Sequence, residues 1–413
     1  MFFHFSRGLR MEQEKKLILA QPIRALPVGE TLTLPLPGAE NSTYRLVKEG
    51  DRVSRFTVLS APQTAAPVCS PVSGRVIELK KIIHPLLGEA VCAVIEPDSF
   101  GKAERLVPKS DLTEDEMIEI AQAAGIIDEY DGAPLYKKLR RFRRAKVDCL
   151  VAMAADEETY VCSSSAVFRE APDAVADGLN FAARACGAGV RKVAVVKIRE
   201  ALSLAWAQKP ESRALLLEAG RAYPVWNSLK TKLSAEGRLP ERIGAQACAA
   251  LNLAVRKAEP QVRTVVTVAG EGVEAPGNLR VCIGTPLQAL MEACGCPKNA
   301  RYLVGSPMTG KPVEDFSMPV TADTRCLIAV SAQPEQRSFA CIGCGRCSQV
   351  CPVGIMPWYL HQYFQQNEYA DPDLLYRADK CVGCNSCTAV CPSGIELAEI
   401  VRKAAEMREG GGW

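Results

Sequence analysis

The C-terminal region contains two cysteine runs of identical spacing, Cys341-x2-Cys344-x2-Cys347-x3-Cys351-Pro352 and Cys381-x2-Cys384-x2-Cys387-x3-Cys391-Pro392. This is the spacing of bacterial two-cluster ferredoxins, in which three thiolates of one run bind a cubane and the fourth ligates the other cluster. A single run would also be compatible with a structural zinc site, but two identical runs in one chain favour iron–sulfur clusters. The sequence therefore predicts a module with two [4Fe–4S] clusters that transfers single electrons.

The eight cysteines are assigned to the two clusters in crossed sets. We expect the first cluster to be bound by Cys341, Cys344, Cys347 and Cys391, and the second by Cys381, Cys384, Cys387 and Cys351. The first three cysteines of each run are expected on a tight loop. The fourth is expected to open a helix, which the following proline keeps from closing over the metal. The pattern indicates metal ligands and no catalytic residue.

The overall composition is that of a globular protein of several domains. The chain has 413 residues, of which 48% are hydrophobic and 23% charged, with a formal net charge of +3. That length is enough for roughly two to four domains that each bury a core. The balanced charge gives no reason to expect a nucleic-acid partner. The one long basic run, residues 137–144, is typical of a solvated helix face, with an anionic partner or a membrane surface as the alternative.

Cysteine content and hydropathy bear on the compartment. Eight of the 18 cysteines are assigned to clusters, and this usage is typical of a reducing compartment rather than of a disulfide scaffold. No run of about 18 apolar residues occurs, so the sequence predicts no transmembrane segment. The N-terminal residues 1–5 are too short for a secretory signal. We therefore expect a cytoplasmic protein, with any membrane contact peripheral, at the inner face and through partners.

Turn residues and hydrophobic periodicity divide the chain into predicted segments. Short strands separated by glycine turns favour a β domain of the biotinyl/lipoyl type, whereas helix–strand alternation favours a parallel α/β sheet. A mixed pattern then suits a β-grasp unit, and Ser331–Gln336 is interpreted as a linker. The segments are a lead-in (1–38), the β domain (39–100), the α/β domain (110–257), the β-grasp domain (262–332) and the ferredoxin domain (333–413).

This domain order resembles the RnfC subunit of the Rnf electron-transport complex. It is similar too to the flavoprotein subunit of respiratory complex I and to an iron–sulfur cobalamin reductase. Besides the cysteine runs, two motifs carry the resemblance, Ala66-Pro67-Val68-Cys69-Ser70-Pro71-Val72-Ser73-Gly74 and Gly305-Ser306-Pro307-Met308-Thr309-Gly310. The resemblance implies a multidomain α/β protein with a lipoyl-like barrel-sandwich domain, a degenerate Rossmann-like domain, an SLBB-type β-grasp domain and a helical dicluster domain. The turn at residues 72–75 has no lysine for cofactor attachment, so we expect the first domain to be scaffold.

The resemblance also implies an FMN-binding loop, and here the sequence departs from the family. The family loop reads Gly-Ile-Val-Gly-x-Gly-Gly-Ala-Gly-Phe-Pro-Thr-x-x-Lys, in which the glycines let backbone N–H groups cradle a phosphate. The corresponding loop, Gly125–Lys138, has Asp128, Tyr130 and Asp131 in place of glycines. A carboxylate about 4 Å from a phosphate charge costs on the order of 1 kcal/mol even in water. We therefore expect no FMN.

Two further family motifs are altered at the same pocket. The run Asn-Gly-Ala-Glu-x-Glu-Pro-Tyr corresponds to residues 153–160, which keep two acids but lose the leading amide and the glycine. The nicotinamide-side run Tyr-Pro-x-Gly-Gly-Glu corresponds to residues 223–228, where Trp226 replaces a glycine. Three losses that converge on one pocket indicate a degenerate flavin and NADH site. Its remaining residues are Gly125, Gly132, Lys138, Asp156 and Glu158.

Together these features predict an electron-transfer protein that relays single electrons through two [4Fe–4S] clusters as part of a redox complex. We expect redox partner proteins, such as a ferredoxin-like donor or reductase subunits. The aromatic segment Met356–Phe364 is expected to pack on the clusters or, alternatively, to dock a partner. The main rival function is an NADH-dependent flavoenzyme, an NADH:acceptor oxidoreductase subunit, that uses the same clusters. A third is an adaptor within a membrane redox complex.

Overall fold

A computed structural model gives the fold of residues 8–11, 15–38, 44–62, 65–98, 111–197, 214–220, 222–330, 338–366 and 377–410. The predicted linker, residues 331–336, lies outside these ranges. Among the described residues, no helix is long and apolar enough to cross a membrane.

The N-terminal segment packs against later domains. It contains β1 (Leu9–Arg10), α1 (Lys16–Leu19) and β2 (Arg24–Ala25). Strand β1 pairs antiparallel with residues 222–223, and β2 pairs parallel with residues 279–280. Lys15 is buried, and its ammonium donates a hydrogen bond of 2.7 Å to the carbonyl oxygen of Asp156. The predicted lead-in is therefore an integral part of the fold.

The first domain is a small β barrel-sandwich. Its strands are β3 (Leu32–Pro35), β4 (Arg52–Val53), β5 (Val58–Ser60), β6 (Val68–Cys69), β7 (Gly74–His84) and β8 (Gly88–Pro97). One sheet has the order β3-β8-β7-β4, and β5 pairs with β6. At Gly74 an added Cβ would lie 2.2 Å from the carbonyl oxygen of Glu96 on β8, so only glycine permits this close pairing. Because β3 belongs to this sheet, the domain begins before residue 39.

The second domain is a parallel α/β sheet, as the helix–strand alternation predicts. Its elements are α2 (Glu114–Ala123), α3 (Leu135–Arg144), β9 (Cys149–Met153), α4 (Ser163–Glu170), α5 (Pro172–Cys186), β10 (Val190–Val195), β11 (Leu215–Glu218), β12 (Ala222–Tyr223), α6 (Val225–Ala235), β13 (Pro240–Gly244) and α7 (Ala245–Lys257). The sheet order is β11-β10-β9-β13. Strand β9 is buried along its whole length, which explains its uninterrupted apolar sequence. Thr113 and Glu116 form the predicted capping box at the start of α2.

The third domain has the predicted β-grasp pattern. Its elements are β14 (Arg263–Gly270), β15 (Gly277–Cys282), α8 (Leu287–Cys294), β16 (Arg301–Val304), β17 (Lys311–Val313) and β18 (Cys326–Val330). The sheet order is β17-β16-β18-β14-β15-β2, so the N-terminal segment supplies the edge strand. Pro286 lies at the N-cap of α8 rather than in its first turn.

The C-terminal module consists of short helices around the cysteine runs. They are α9 (Arg346–Val350), α10 (Pro357–Gln366), a 3₁₀ turn (Ala378–Lys380), α11 (Ser386–Ala389) and α12 (Leu397–Gly410). The expectation that the fourth cysteine of each run opens a helix is wrong. Cys351 follows the end of α9 with ψ 116°, in extended backbone. A residue before proline is disfavoured in the helical region, so Pro352 excludes Cys351 from a helix.

Candidate cluster sites and the adjoining cavity

The four cysteines assigned to the first cluster line a single cavity, namely Cys341, Cys344, Cys347 and Cys391. Cys347 is buried and Cys344 is exposed, so one edge of this site faces solvent. The backbone N–H of Gly343 donates to Cys341 Sγ at 3.5 Å, and hydrogen bonds to the sulfurs tune a cluster's reduction potential. Four thiol side chains around one cavity fit a cubane as its donor set.

The other four cysteines also lie close together, namely Cys351, Cys381, Cys384 and Cys387. Burial raises the pKa of the Cys387 thiol to about 12, and the nearby thiols of Cys384, Cys381 and Cys351 add to the rise. The N–H of Ile355 donates to Cys351 Sγ at 3.2 Å, and that of Gly383 donates to Cys381 Sγ at 3.5 Å. Each site thus contains cysteines from both runs.

The loop that carries Cys384 borders a second, larger cavity of about 350 Å³. Asn385, the next residue, donates a hydrogen bond of 2.7 Å to the carbonyl oxygen of Met308 in the β-grasp domain. Cys384 lines the cavity together with residues of the α/β domain, among them Tyr130 and Trp226. The second cluster site is therefore the one that adjoins the pocket in which the sequence predicts a degenerate flavin site.

In this cavity the lysine of the predicted flavin loop is neutralised by the residues that replace glycine. Lys138 Nζ lies 2.6 Å from Asp128 Oδ2 and 2.8 Å from Asp131 Oδ2. Lys138 and Asp128 are buried, whereas the Asp131 side chain is 38% exposed. Burial acts to lower the pKa of Lys138, but the two carboxylates outweigh it and the pKa is raised. The buried cation of the loop is thus already paired, and the two aspartates face Lys138 rather than empty space.

Glu129, between those aspartates, occupies the N-terminus of α7. Its carboxylate accepts hydrogen bonds from the N–H groups of Gln246 at 2.8 Å and Ala247 at 3.0 Å, while Asp128 accepts one from Gly244 at 3.1 Å. Helix N-termini bind anions because their first N–H groups are unpaired and the helix dipole is positive there. Burial and the charge of Asp128 raise the pKa of Glu129 to about 7, against the effect of its N–H donors.

Two more helix N-termini are filled in the same way. Asp156 accepts hydrogen bonds from the N–H groups of Ser165 at 2.8 Å and Ser164 at 3.4 Å at the start of α4. Glu157 accepts them from Val225 and Trp226, at 3.0 and 3.2 Å, at the start of α6. All three helix starts therefore carry an internal carboxylate. A flavin phosphate would have to displace one of them, so the residues present do not fit FMN.

A stacked group of charged and aromatic side chains forms another wall of the cavity. The ring of Tyr130 has the guanidinium carbons of Arg242 and Arg325 each 4.9 Å from its centroid, and its hydroxyl donates to the carbonyl oxygen of Ala155. Such contacts are favourable cation–π interactions. Glu158 accepts a hydrogen bond of 2.7 Å from the N–H of Met308, which links this wall to the Gly-Ser-Pro-Met-Thr-Gly loop.

The two retained glycines of the predicted site have structural roles away from any ligand. Gly125 has φ +64°, and a Cβ there would lie 2.3 Å from the carbonyl oxygen of Pro67 in the first domain. Gly132 has φ +65° and lies against Asp323. Sequence reasoning missed Arg242 and Arg325, because they come from β13 and from just before β18 and no local motif marks them.

Comparison with known families agrees with this architecture. Residues 3–100 match the RnfC barrel sandwich hybrid domain, residues 265–312 the SLBB domain and residues 340–395 the 4Fe-4S dicluster domain. The fold class and the presence of two [4Fe–4S] clusters are thereby confirmed. These matches define a multidomain iron–sulfur protein of electron transfer.

Three relatives identify the particular family. The RnfC subunit of the ion-translocating oxidoreductase complex of Rhodobacter capsulatus is 30% identical over 400 residues, which cover 87% of this chain and 74% of that protein. The Vibrio cholerae protein of the same name is 28% identical, and the match covers 88% of this chain but 51% of that protein. The equivalent subunit of the proton-translocating ferredoxin:NAD(+) oxidoreductase complex of Clostridium ljungdahlii is 25% identical, with 90% and 86% covered. This chain belongs to the RnfC family of ion-translocating oxidoreductase subunits.

Among solved structures, an NAD+-reducing [NiFe]-hydrogenase in the air-oxidized state matches with a TM-score of 0.48 and 16% identity, covering 72% of this chain and 62% of that chain. This likeness is too low to transfer any site residue.

Proposed function

We propose that this chain relays single electrons through its two [4Fe–4S] clusters between protein partners, without a flavin or nicotinamide of its own. The observation that carries the proposal is the internal occupation of the anion-binding groups beside the second cluster site. Lys138 is paired with Asp128 and Asp131, and the helix starts are capped by Glu129, Asp156 and Glu157. A relay without hydride chemistry needs only the clusters, which accept and release one electron each.

The crossed ligand sets are part of the proposal. Cys341, Cys344, Cys347 and Cys391 would hold the first cluster, and Cys381, Cys384, Cys387 and Cys351 the second. Their support is the common cavity of the first set and the mutual proximity of the second. The bound clusters supply one-electron chemistry; the chain's residues hold them, donate N–H groups to Cys341, Cys351 and Cys381, and keep Cys347 and Cys351 away from water.

The partners would be other redox subunits of a complex of the kind that the relatives' names describe, and any membrane association would be peripheral, through those subunits. The first cluster site is surrounded by exposed apolar side chains, which suits a contact with such a subunit. Phe339 is 64% exposed, Ile342 70% and Tyr359 44%. Interface cores are enriched in aromatic side chains.

A rival function keeps one observation in its favour. The cavity of about 350 Å³ still adjoins Cys384 and has aromatic walls, as an NADH-dependent flavoenzyme would require. The two functions make opposite predictions for electron donors. Anaerobically purified protein should be reduced by dithionite or by a reduced ferredoxin, followed by bleaching of the cluster absorbance, but not by NADH. Reduction by NADH at a catalytic rate would reject the relay and support the flavoenzyme.

A further inference from the structure

The helix that borders the cavity carries one sign of charge. In ten residues α3 has six cations and no acid, namely Lys137, Lys138, Arg140, Arg141, Arg143 and Arg144. Lys138 points inward to its aspartates and Arg143 pairs with Asp115 at 2.8 Å. Lys137, Arg140, Arg141 and Arg144 are exposed. The outer face of α3 is thus a basic surface, which we call the basic face and define by Arg140, Arg141 and Arg144.

The basic face reaches the opening of the cavity beside the second cluster site. Arg141 and Cys384 line the same cavity. The side chain of Arg141 is 61% exposed, and its carboxylate neighbour, Glu241, is 3.8 Å away. On the cluster side of the opening, Val382 is 45% exposed. A partner at this opening would therefore meet cations on one side and an apolar residue of the cluster loop on the other.

Inside the opening, two recessed arginines retain hydrogen-bonding capacity. Arg242 and Arg325 lie 3.8 Å from Glu157 and Glu158, which is too long for a hydrogen bond. Those carboxylates are instead bound by backbone N–H groups. The arginine side chains are only 25% and 12% exposed, and Trp226 and Tyr130 lie beside them. Arginine and tryptophan in a recessed pocket are the residues that dominate binding energy at protein interfaces.

We propose that this opening, together with the basic face, docks a small acidic electron-transfer protein of the ferredoxin class next to the second cluster. The proposal rests on the proposed relay function and names the partner at its second-cluster end. A protein is favoured over a small anion because Arg140 and Arg144 extend the positive surface along α3 beyond the lining of the cavity. Opposite charge steers association and mainly raises the association rate, more so at low salt. A carboxylate side chain of the partner would enter toward Arg242 and Arg325, where arginine binds carboxylates in a fork geometry.

The test measures binding to an acidic bacterial ferredoxin with the full-length, cluster-loaded chain. Calorimetry and stopped-flow association are run at about 20 mM and about 300 mM NaCl, since the Debye length shortens several-fold between them. The double variant Arg141→Glu/Arg144→Glu should weaken binding about tenfold or more at low salt and lose most of the salt dependence. Arg256→Glu is the matched control, because Arg256 is 59% exposed on α7 of the same domain and pairs with Asp177 at 3.1 Å. It should change affinity less than about twofold.

Equal weakening by the control and the double variant would overturn the proposal. So would salt-independent binding, or binding of benzoate at the cavity with no binding of ferredoxin, which would make it a small-molecule site. Iron content and visible absorbance of both variants should equal those of the unaltered chain. The docking test does not depend on turnover, so bound flavin or NADH oxidation would contradict the relay while leaving the docking result to be judged by itself.

Discussion

The ferredoxin module and the α/β domain treat their family motifs in opposite ways. In the module every cysteine of the two runs is present, and the thiol groups lie together in two sets. In the α/β domain the glycines are replaced, and the groups that would bind a phosphate are bound by the protein's own acids. Lys138 has Asp128 and Asp131, and α7 has Glu129. The comparison teaches that an altered pocket can be rebuilt as an internal polar network, which the domain then needs for its own stability.

The largest expected effect breaks the module half of this comparison. Cys351→Ser should lose about four of about eight irons per chain, because one cubane loses a ligand. The cluster lost should be the one held by Cys381, Cys384 and Cys387, seen as loss of the spin–spin interaction in the electron paramagnetic resonance of the reduced protein. Cys296→Ser, a cysteine outside both runs, should keep all the iron. If Cys351→Ser disturbs the Cys341 group instead, the crossed assignment is wrong.

The next effect concerns the paired lysine of the α/β domain. Asp128→Asn should lower the free energy of unfolding by about 3 kcal/mol, because it leaves the buried Lys138 charge short of a partner. Asp131→Asn, at a position that is 38% exposed, should cost about 1 kcal/mol or less because solvent screens that pair. Urea denaturation followed by tryptophan fluorescence measures both. Equal costs would contradict the different roles of the two aspartates.

A smaller effect is a pH dependence that arises from Glu129. Its pKa is raised to about 7 in the folded protein, whereas an unfolded glutamate has a pKa near 4.3. Between those values the folded state keeps a proton that the unfolded state loses, so stability should fall as pH rises through this window. Glu129→Gln should flatten the dependence by on the order of 2 kcal/mol between about pH 5 and pH 8. An unchanged slope in the variant would assign the pH dependence to other groups.

The smallest effect is expected at the aromatic helix of the module. Tyr359 is 44% exposed, whereas Leu360 is buried and Tyr363 is half-buried. Tyr359→Ala should slow electron exchange with a physiological partner a few-fold, without loss of cluster absorbance, because an aromatic side chain contributes to interface cores. Tyr363→Ala serves as the comparison and should have the weaker effect on exchange. The opposite order would place the contact on another face of α10.

Local signals allowed much of the fold to be predicted, and non-local ones did not. Cysteine spacing, the capping box at Thr113 and the apolar run of β9 each depend on a few neighbouring residues, and each prediction agrees with the structure. The fourth cysteines were misplaced because the effect of Pro352 on the preceding backbone was not applied. The bonds from Glu129 to residues 246 and 247 join distant parts of the chain. No sequence pattern reveals that an acid in a former glycine loop will cap that helix.

The central claim is that the pocket beside the second cluster is filled by the chain's own carboxylates, so that the protein carries clusters and no flavin. Iron, acid-labile sulfide and acid-released flavin, measured together on anaerobically purified full-length protein, test it most directly. The account predicts about eight irons and about eight sulfides per chain, with flavin far below stoichiometric amounts even after incubation with excess FMN. One FMN per chain would contradict it.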